Sequence, residues 1–268
     1  VLKVKASSTG ITTQAGSVNV LYADNQILVD PNGGVATMLS LGSLSLASGN
    51  ASLLIGTMAG AGGGSLSITT TTVPSLTTGT NGLYSNRIIY TDGTKYFWTG
   101  SSSVGAGVYA LSQAGTLNLP GSGFSGTSNY FLTDGLSGLQ SGSINSLAVY
   151  TTQANQKLSL DSGTTLKLTS GGLLFGGAND YAITGGLLTS NTPTNSDLSL
   201  QNWGTGTLTI SSVIGNGIGN STLFTGGPGK LVLSGANTYT GATTIGSGVL
   251  EIRNATALGT TAGATTIS

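Results

Sequence analysis

A glycine followed by a short run of alternating apolar and polar residues recurs along the whole chain, and this recurrence points to repeating β structure. The unit appears as Gly16-Ser17-Val18-Asn19-Val20, Gly42-Ser43-Leu44-Ser45-Leu46, Gly64-Ser65-Leu66-Ser67-Ile68, Gly115-Thr116-Leu117-Asn118-Leu119 and Gly206-Thr207-Leu208-Thr209-Ile210. It returns at Gly229 to Leu233 and at Gly248 to Ile252. A period of two sends Val, Leu and Ile to one face of a strand and Ser, Thr and Asn to the other. Each unit is half-buried and cannot stand alone.

From Lys157 onward the apolar pairs Leu158/Leu160, Leu166/Leu168, Leu173/Leu174, Leu187/Leu188, Leu198/Leu200 and Leu208/Ile210 follow one another closely. Strands about 7 to 11 residues apart fill a coil of roughly 20 to 30 in threes, the period range of solenoids. Coils stacked at about 4.8 Å place each inward side chain over the next, and stability then sums over neighbouring coils. A β-sandwich also has closely spaced strands. It gives no reason to repeat Gly-x-Leu-x-Leu.

Composition supports this reading. Gly, Ser and Thr make up just under half of the chain, and there are eight basic and eight acidic residues among 268, with a mean hydropathy of +0.23. Disorder goes with low hydropathy and high net charge, and this chain has neither. A neutral chain without a Lys/Arg cluster lacks the electrostatic footprint of a nucleic-acid binder or of a protein docking on anionic membranes. The longest apolar stretch, Leu53 to Ala61, is broken by Gly56 and Gly60 and is too short to span a bilayer. Val1-Leu2-Lys3-Val4-Lys5 is followed by no apolar segment of a signal peptide, and Ala262 to Ser268 reads as a strand cut in mid-repeat. The chain is therefore expected to be an internal piece of a longer polypeptide.

The run from Gly229 to Ile252 reads as one complete coil: two strands joined by the bend Gly235-Ala236-Asn237-Thr238-Tyr239-Thr240-Gly241. It resembles the passenger-associated β-strand repeat of bacterial autotransporters. That pattern, G-x-L-x-L-S-G-x-N-T-Y-x-G-x-T-x-I-x-x-G-x-L, is matched at almost every position. The resemblance is strongest from Gly204 to Ser268, and Thr164 to Ser211 looks like the less regular coils that precede such repeats. It implies an all-β fold, a right-handed parallel β-helix or β-solenoid, on the outer surface of a bacterium, delivered through an outer-membrane β-barrel. The expected organisation is solenoid coils over 1–78, an aromatic-rich insertion over 79–135, and coils over 136–268 that include the repeat at 229–252.

The insertion stands out because nine of the sixteen aromatic residues fall between Tyr84 and Phe131. Within it, Arg87 to Trp98 reads as a β-hairpin turning at Asp92-Gly93 and attached laterally to the coils. Tyr90, Tyr96 and Trp98 are expected to share one face. Such a face suits sugar rings or a partner surface; the alternative is that these aromatics pack down and cover an edge of the solenoid.

Catalytic chemistry is poorly represented. With no His and no Cys, Ser-His-Asp and Cys-His systems, disulfides and thiolate metal sites are excluded. No Lys has Ser three residues before it. Gly123-Phe124-Ser125-Gly126-Thr127 falls one residue short of a nucleophile elbow. Gly226-Gly227-Pro228-Gly229-Lys230-Leu231 lacks the spacing and the hydroxyl of a phosphate loop. Asp161, Asp180 and Asp197 are spaced closely enough to one coil to stack into a carboxylate site, although each lies in a typical turn sequence. Asn50-Ala51-Ser52, Asn220-Ser221-Thr222 and Asn254-Ala255-Thr256 satisfy the N-glycosylation pattern at the frequency that such a composition produces by chance.

The expected function is a non-enzymatic extracellular stalk or fibre, without cofactor or metal. Its partners would be copies of itself in a filament or surface layer, or a glycan or cell surface met through the aromatic insertion as an adhesin. A carbohydrate-active β-helix enzyme ranks third.

Overall fold

The computed structural model of the chain describes residues 1–6, 12–33, 37–46, 51–62, 66–70, 83–101, 107–110, 117–191 and 197–268. Every regular element among them is a β-strand, and none is a helix that could cross a membrane. Two units emerge, Val1–Ser112 and Gln113–Ser268. Gly64-Ser65, Gly115-Thr116, Asn50 and the Asn195-Ser196 turn lie outside the described residues, as do the side chains of Tyr84 and Tyr109.

Unit 1 holds β1 (Leu2–Lys5), β2 (Thr12–Val20), β3 (Ala23–Asp30), β4 (Thr37–Leu46), β5 (Ala51–Thr57), β6 (Leu66–Thr70), β7 (Leu83–Thr91), β8 (Tyr96–Ser101) and β9 (Gly107–Ala110). Successive coils lay β1, β3, β5 and β7 on one another in parallel, and β2, β4 and β6 likewise. Register puts like over like: Leu53 on Ile88, Ile27 on Ile55, Leu39 on Ile68. These side chains form one buried cluster with Val29, Leu41 and Leu44. Hydrogen bonds from Ser45 to Asn19 and from Ser52 to Asp24 join coils at separations of 26 and 28 positions. The coil length thus falls in the range expected from the repeat spacing.

Unit 2 holds sixteen strands. The first eight are β10 (Leu117–Asn118), β11 (Asn129–Leu132), β12 (Leu136–Leu139), β13 (Gly142–Val149), β14 (Gln156–Leu160), β15 (Thr165–Phe175), β16 (Tyr181–Thr184) and β17 (Leu187–Ser190). The rest are β18 (Asp197–Asn202), β19 (Leu208–Ile210), β20 (Val213–Gly215), β21 (Thr222–Gly226), β22 (Lys230–Leu233), β23 (Thr243–Ile245), β24 (Val249–Ile252) and β25 (Thr265–Ile267). Among the described residues every strand pair of unit 2 is parallel.

Three stacks result. One runs β12-β14-β16-β19-β22-β24, a second runs β11-β13-β15-β18-β21-β23-β25 with β10 at its edge, and β17 and β20 extend a third from the first half of β15. The long strands β13 and β15 supply two stacks each because they turn a corner, where the register shifts after Ile144 and Gly171 takes a φ of 73°. Inward columns run unbroken from coil to coil. Leu158, Ile183, Ile210 and Leu233 form one, and Tyr130, Leu147, Leu173 and Leu200 another. All belong to a single core cluster. Burying each Leu or Ile contributes roughly 1.5–3 kcal/mol, so a ladder of this length dominates the stability of the unit.

In unit 2 the glycine that opens the repeated unit has a steric reason. At Gly206 and Gly229 an added Cβ would lie 2.3 Å from the Asn179 carbonyl oxygen and 2.4 Å from Asn202 Cγ of the preceding coil. The chain enters each strand of the β19-β22-β24 stack through a corner that admits no side chain. Polar ladders also hold the corner of β13 and β15. Asn129 Oδ1 accepts from Asn145 Nδ2 at 2.8 Å and from Ser146 Oγ at 2.7 Å, and Ser170 Oγ donates to the Asn145 carbonyl at 2.6 Å.

Candidate functional site

The Asp92-Gly93 hairpin is present between β7 and β8, and its loop is tied by one carboxylate. Asp92 Oδ1 accepts from the amides of Thr94 at 2.8 Å and Lys95 at 2.7 Å and from the Thr94 hydroxyl at 2.8 Å. Partial burial alone would raise the Asp92 pKa, but these donors and the Lys95 charge outweigh it and hold the carboxyl below its ordinary value. The hairpin is not a lateral attachment. Its first strand lies on β5 as the next layer of the stack, and β9 pairs back onto β6. Gly56 permits this close approach: its φ is 143°, and a Cβ there would meet the Thr91 carbonyl oxygen at 2.1 Å.

The aromatic residues do not share one face. Thr91 pairs with Tyr96, Tyr90 with Phe97 and Ile89 with Trp98, so Tyr90 lies on the side opposite Tyr96 and Trp98. Tyr90 stands above Ile55 in an inward column and packs against the unit 1 core. Burial raises its pKa, opposed by a hydrogen bond with Thr57. Trp98 is 1% exposed, its indole nitrogen buried without a hydrogen-bond partner. Tyr96 alone of the three is part-exposed without belonging to the core cluster. The sequence placed aromatics correctly on the hairpin but misjudged the faces, because a shift of one residue in register inverts every side chain.

The three aspartates do not converge. Asp161 Oδ2 accepts from Gln140 Nε2 at 2.7 Å, Asp180 Oδ1 from the Thr207 amide at 2.8 Å, and Asp197 Oδ1 from the Thr222 hydroxyl at 3.0 Å. In the register of the strands Asp197 is matched by Thr222, and Asp180 adjoins the pair Tyr181 and Leu208. Each carboxylate therefore binds the neighbouring coil at a different corner, as a turn residue does. Among the described residues no group of three acidic side chains could hold a metal ion.

The coil at 229–252 shows what its motif residues do. Asn237 is buried, and its side chain serves three coils at once. Its Oδ1 accepts the Ile214 amide at 2.8 Å, and its Nδ2 donates to the Ala257 carbonyl at 2.6 Å. The flanking backbone continues both links, from Thr238 N to Ile214 O at 2.8 Å and from Thr260 N to Tyr239 O at 2.9 Å. Tyr239 is fully buried in the core and its hydroxyl meets Thr243 Oγ1 at 2.7 Å. The Asn-Thr-Tyr bend thus supplies the coil-to-coil bonds of a third strand without being one. A sequence reading that recognised the bend gave no role to Asn237. The missing signal was its spacing from Ile214 and Ala257, 23 and 20 positions away.

The passenger-associated-transport-repeat family matches residues 223–252, a span that includes the coil just described. Among curated proteins, an adhesin BmaC autotransporter of Brucella suis biovar 1 (strain 1330) is 36% identical over 126 residues, 46% of this chain. The chain spans 4% of the length of that relative. No solved structure matches. Residues 223–252 thus carry a passenger-associated transport repeat, with parallel strands stacked on it before and after.

Proposed function

We propose that this chain is a non-enzymatic segment of an extracellular passenger at the bacterial surface, working as a stalk. The observation that carries the reading is the unbroken parallel ladder of unit 2, in which aliphatic columns fill the interior and corner Asn, Ser and Thr residues bond coil to coil. Such a ladder resists bending because each coil is held by its neighbours through both packing and backbone hydrogen bonds. The polar groups best suited to chemistry, Asp161, Asp180 and Asp197, are engaged in those bonds.

A second reading, adhesion to a glycan, has two supports: the related protein is named an adhesin, and Tyr96 is part-exposed on the hairpin. One experiment separates the two. The purified chain and its Tyr96→Ala variant are applied to a glycan array and imaged by negative-stain electron microscopy. The stalk reading predicts separate particles and no binding that depends on Tyr96. Binding lost in Tyr96→Ala, with an unchanged circular dichroism spectrum, would replace it with the adhesin reading, and uniform filaments would replace it with a fibre.

A further inference from the structure

Following the sheet of unit 1 strand by strand gives the order β1-β3-β5-β7-β8-β9-β6-β4-β2. Its two terminal strands, β1 and β2, both belong to the first coil. At the opposite end of the stack, β5 and β6 would each offer an open edge of unpaired amides and carbonyls, the usual template for strand addition. Instead β7 covers β5 in parallel, β8 runs back antiparallel to β7, and β9 pairs antiparallel with both β8 and β6. One continuous path therefore crosses from the first stack to the second and leaves neither edge free among the described residues.

We propose that residues 83–101 and 107–110 form an end cap: a built-in stop that closes this end of unit 1 against strand pairing with a second copy of the chain. At the capped end Leu53, Ile55, Ile88 and Ile89 are fully buried. The cap is seated by contacts made for it. Gly56 clears the way for Thr91, Tyr90 tops the column of Ile27 and Ile55, and Thr99 Oγ1 donates to the Ile88 carbonyl at 2.8 Å. Antiparallel return is what makes it a stop. A parallel strand laid on β7 would continue the coil, while β8 reverses direction and leads the chain across the end.

The test is residue-resolved hydrogen exchange on the whole 268-residue chain, paired with sedimentation velocity. Open stack ends fray and closed ones do not. Amides of Leu53–Gly56 and Ile88–Thr91 are expected to exchange about 100-fold or more slowly than those of Leu2–Lys5. Equal exchange at the two ends, or faster exchange at the hairpin, overturns the cap. Gly56→Val then removes the seat: exchange in 83–101 should rise to that of a free hairpin, and the protein should associate in a concentration-dependent way. A Gly56→Val protein that stays monomeric with residues 83–101 still protected also overturns it. Should the variant unfold β1 to β4 as well, the exchange difference between the two ends of the unsubstituted chain decides alone.

Discussion

Units 1 and 2 use the same local grammar, and only unit 1 departs from parallel stacking. In both, alternate aliphatic residues stack inward, and Ser, Thr and Asn bond one coil to the next. Unit 2 keeps every described strand pair parallel, whereas unit 1 turns back on itself after β7 and buries Ile88, Ile89 and Trp98. The difference shows that Gly-x-Leu-x-Leu specifies a strand and its inward face but not where stacking stops. Stopping depends on a tight loop that reverses the chain, here the one tied by Asp92.

The largest expected effect comes from breaking the ladder of one unit and watching the other. Leu208 is fully buried in the column between Tyr181 and Leu231. Leu208→Asp places an unpaired charge there at a cost of several kcal/mol, so urea unfolding should show unit 2 lost. Exchange protection of Leu53 to Ile55 in unit 1 should remain. Loss of both units together would show that they do not fold independently.

Next in size is Asn237→Ala, which strands the Ile214 amide and the Ala257 carbonyl in the interior. Each orphaned group costs about 1–3 kcal/mol, so the midpoint of urea unfolding should fall clearly and exchange should rise at both neighbouring coils. Tyr239→Phe is milder, since it removes only the hydroxyl contact with Thr243 while keeping the buried ring. A loss of about 1 kcal/mol is expected by the same denaturation.

The smallest effect is electrostatic and confined to the cap. Because the folded Asp92 carboxyl titrates below its ordinary value of 3.8, its contribution is present above that value and disappears as pH falls through the lowered pKa. Exchange at Tyr90 to Trp98 should therefore rise on acidification below 3.8, and Asp92→Asn should remove that pH dependence. In unit 2, Glu251 is likewise held low by its hydrogen bonds with Lys230 and Arg253, but these pairs lie at the surface, where solvent screens them, and should leave unit 2 exchange unchanged.

How much was legible in the sequence depended on the range of the interaction that decides each feature. The strands around Leu158, Leu208 and Leu231 were readable because period-two alternation is local, and so was the coil at 229–252 because its glycines and its Asn-Thr-Tyr bend are contiguous. Tyr90 was misread because its face depends on which residue across the hairpin it meets, and that partner is Phe97. The possible stacking of Asp161, Asp180 and Asp197 failed for a related reason. Spacing near one coil length does not ensure equal positions in the coil when coil-to-coil bonds span anything from 16 to 32 positions. Covering of an edge by the insertion was among the readings of the sequence, but its route was not, since no local pattern records that β9 will meet β6.

The central claim is that coils lie on one another in a fixed parallel register, and the absence of cysteine from the chain allows a direct test. Ser159 and Thr184 are register partners on adjacent coils, with hydroxyl oxygens 2.9 Å apart. Ser159→Cys with Thr184→Cys should therefore oxidise to an intramolecular disulfide, as the adjacent-strand spacing of about 4.8 Å permits. Ser159→Cys with Ser211→Cys sets the thiols two coils apart, beyond the reach of about 7 Å for a disulfide, and should stay reduced. Bridging in the first pair alone is the predicted result; no bridge there, or equal bridging in both, would contradict the stacked-coil architecture.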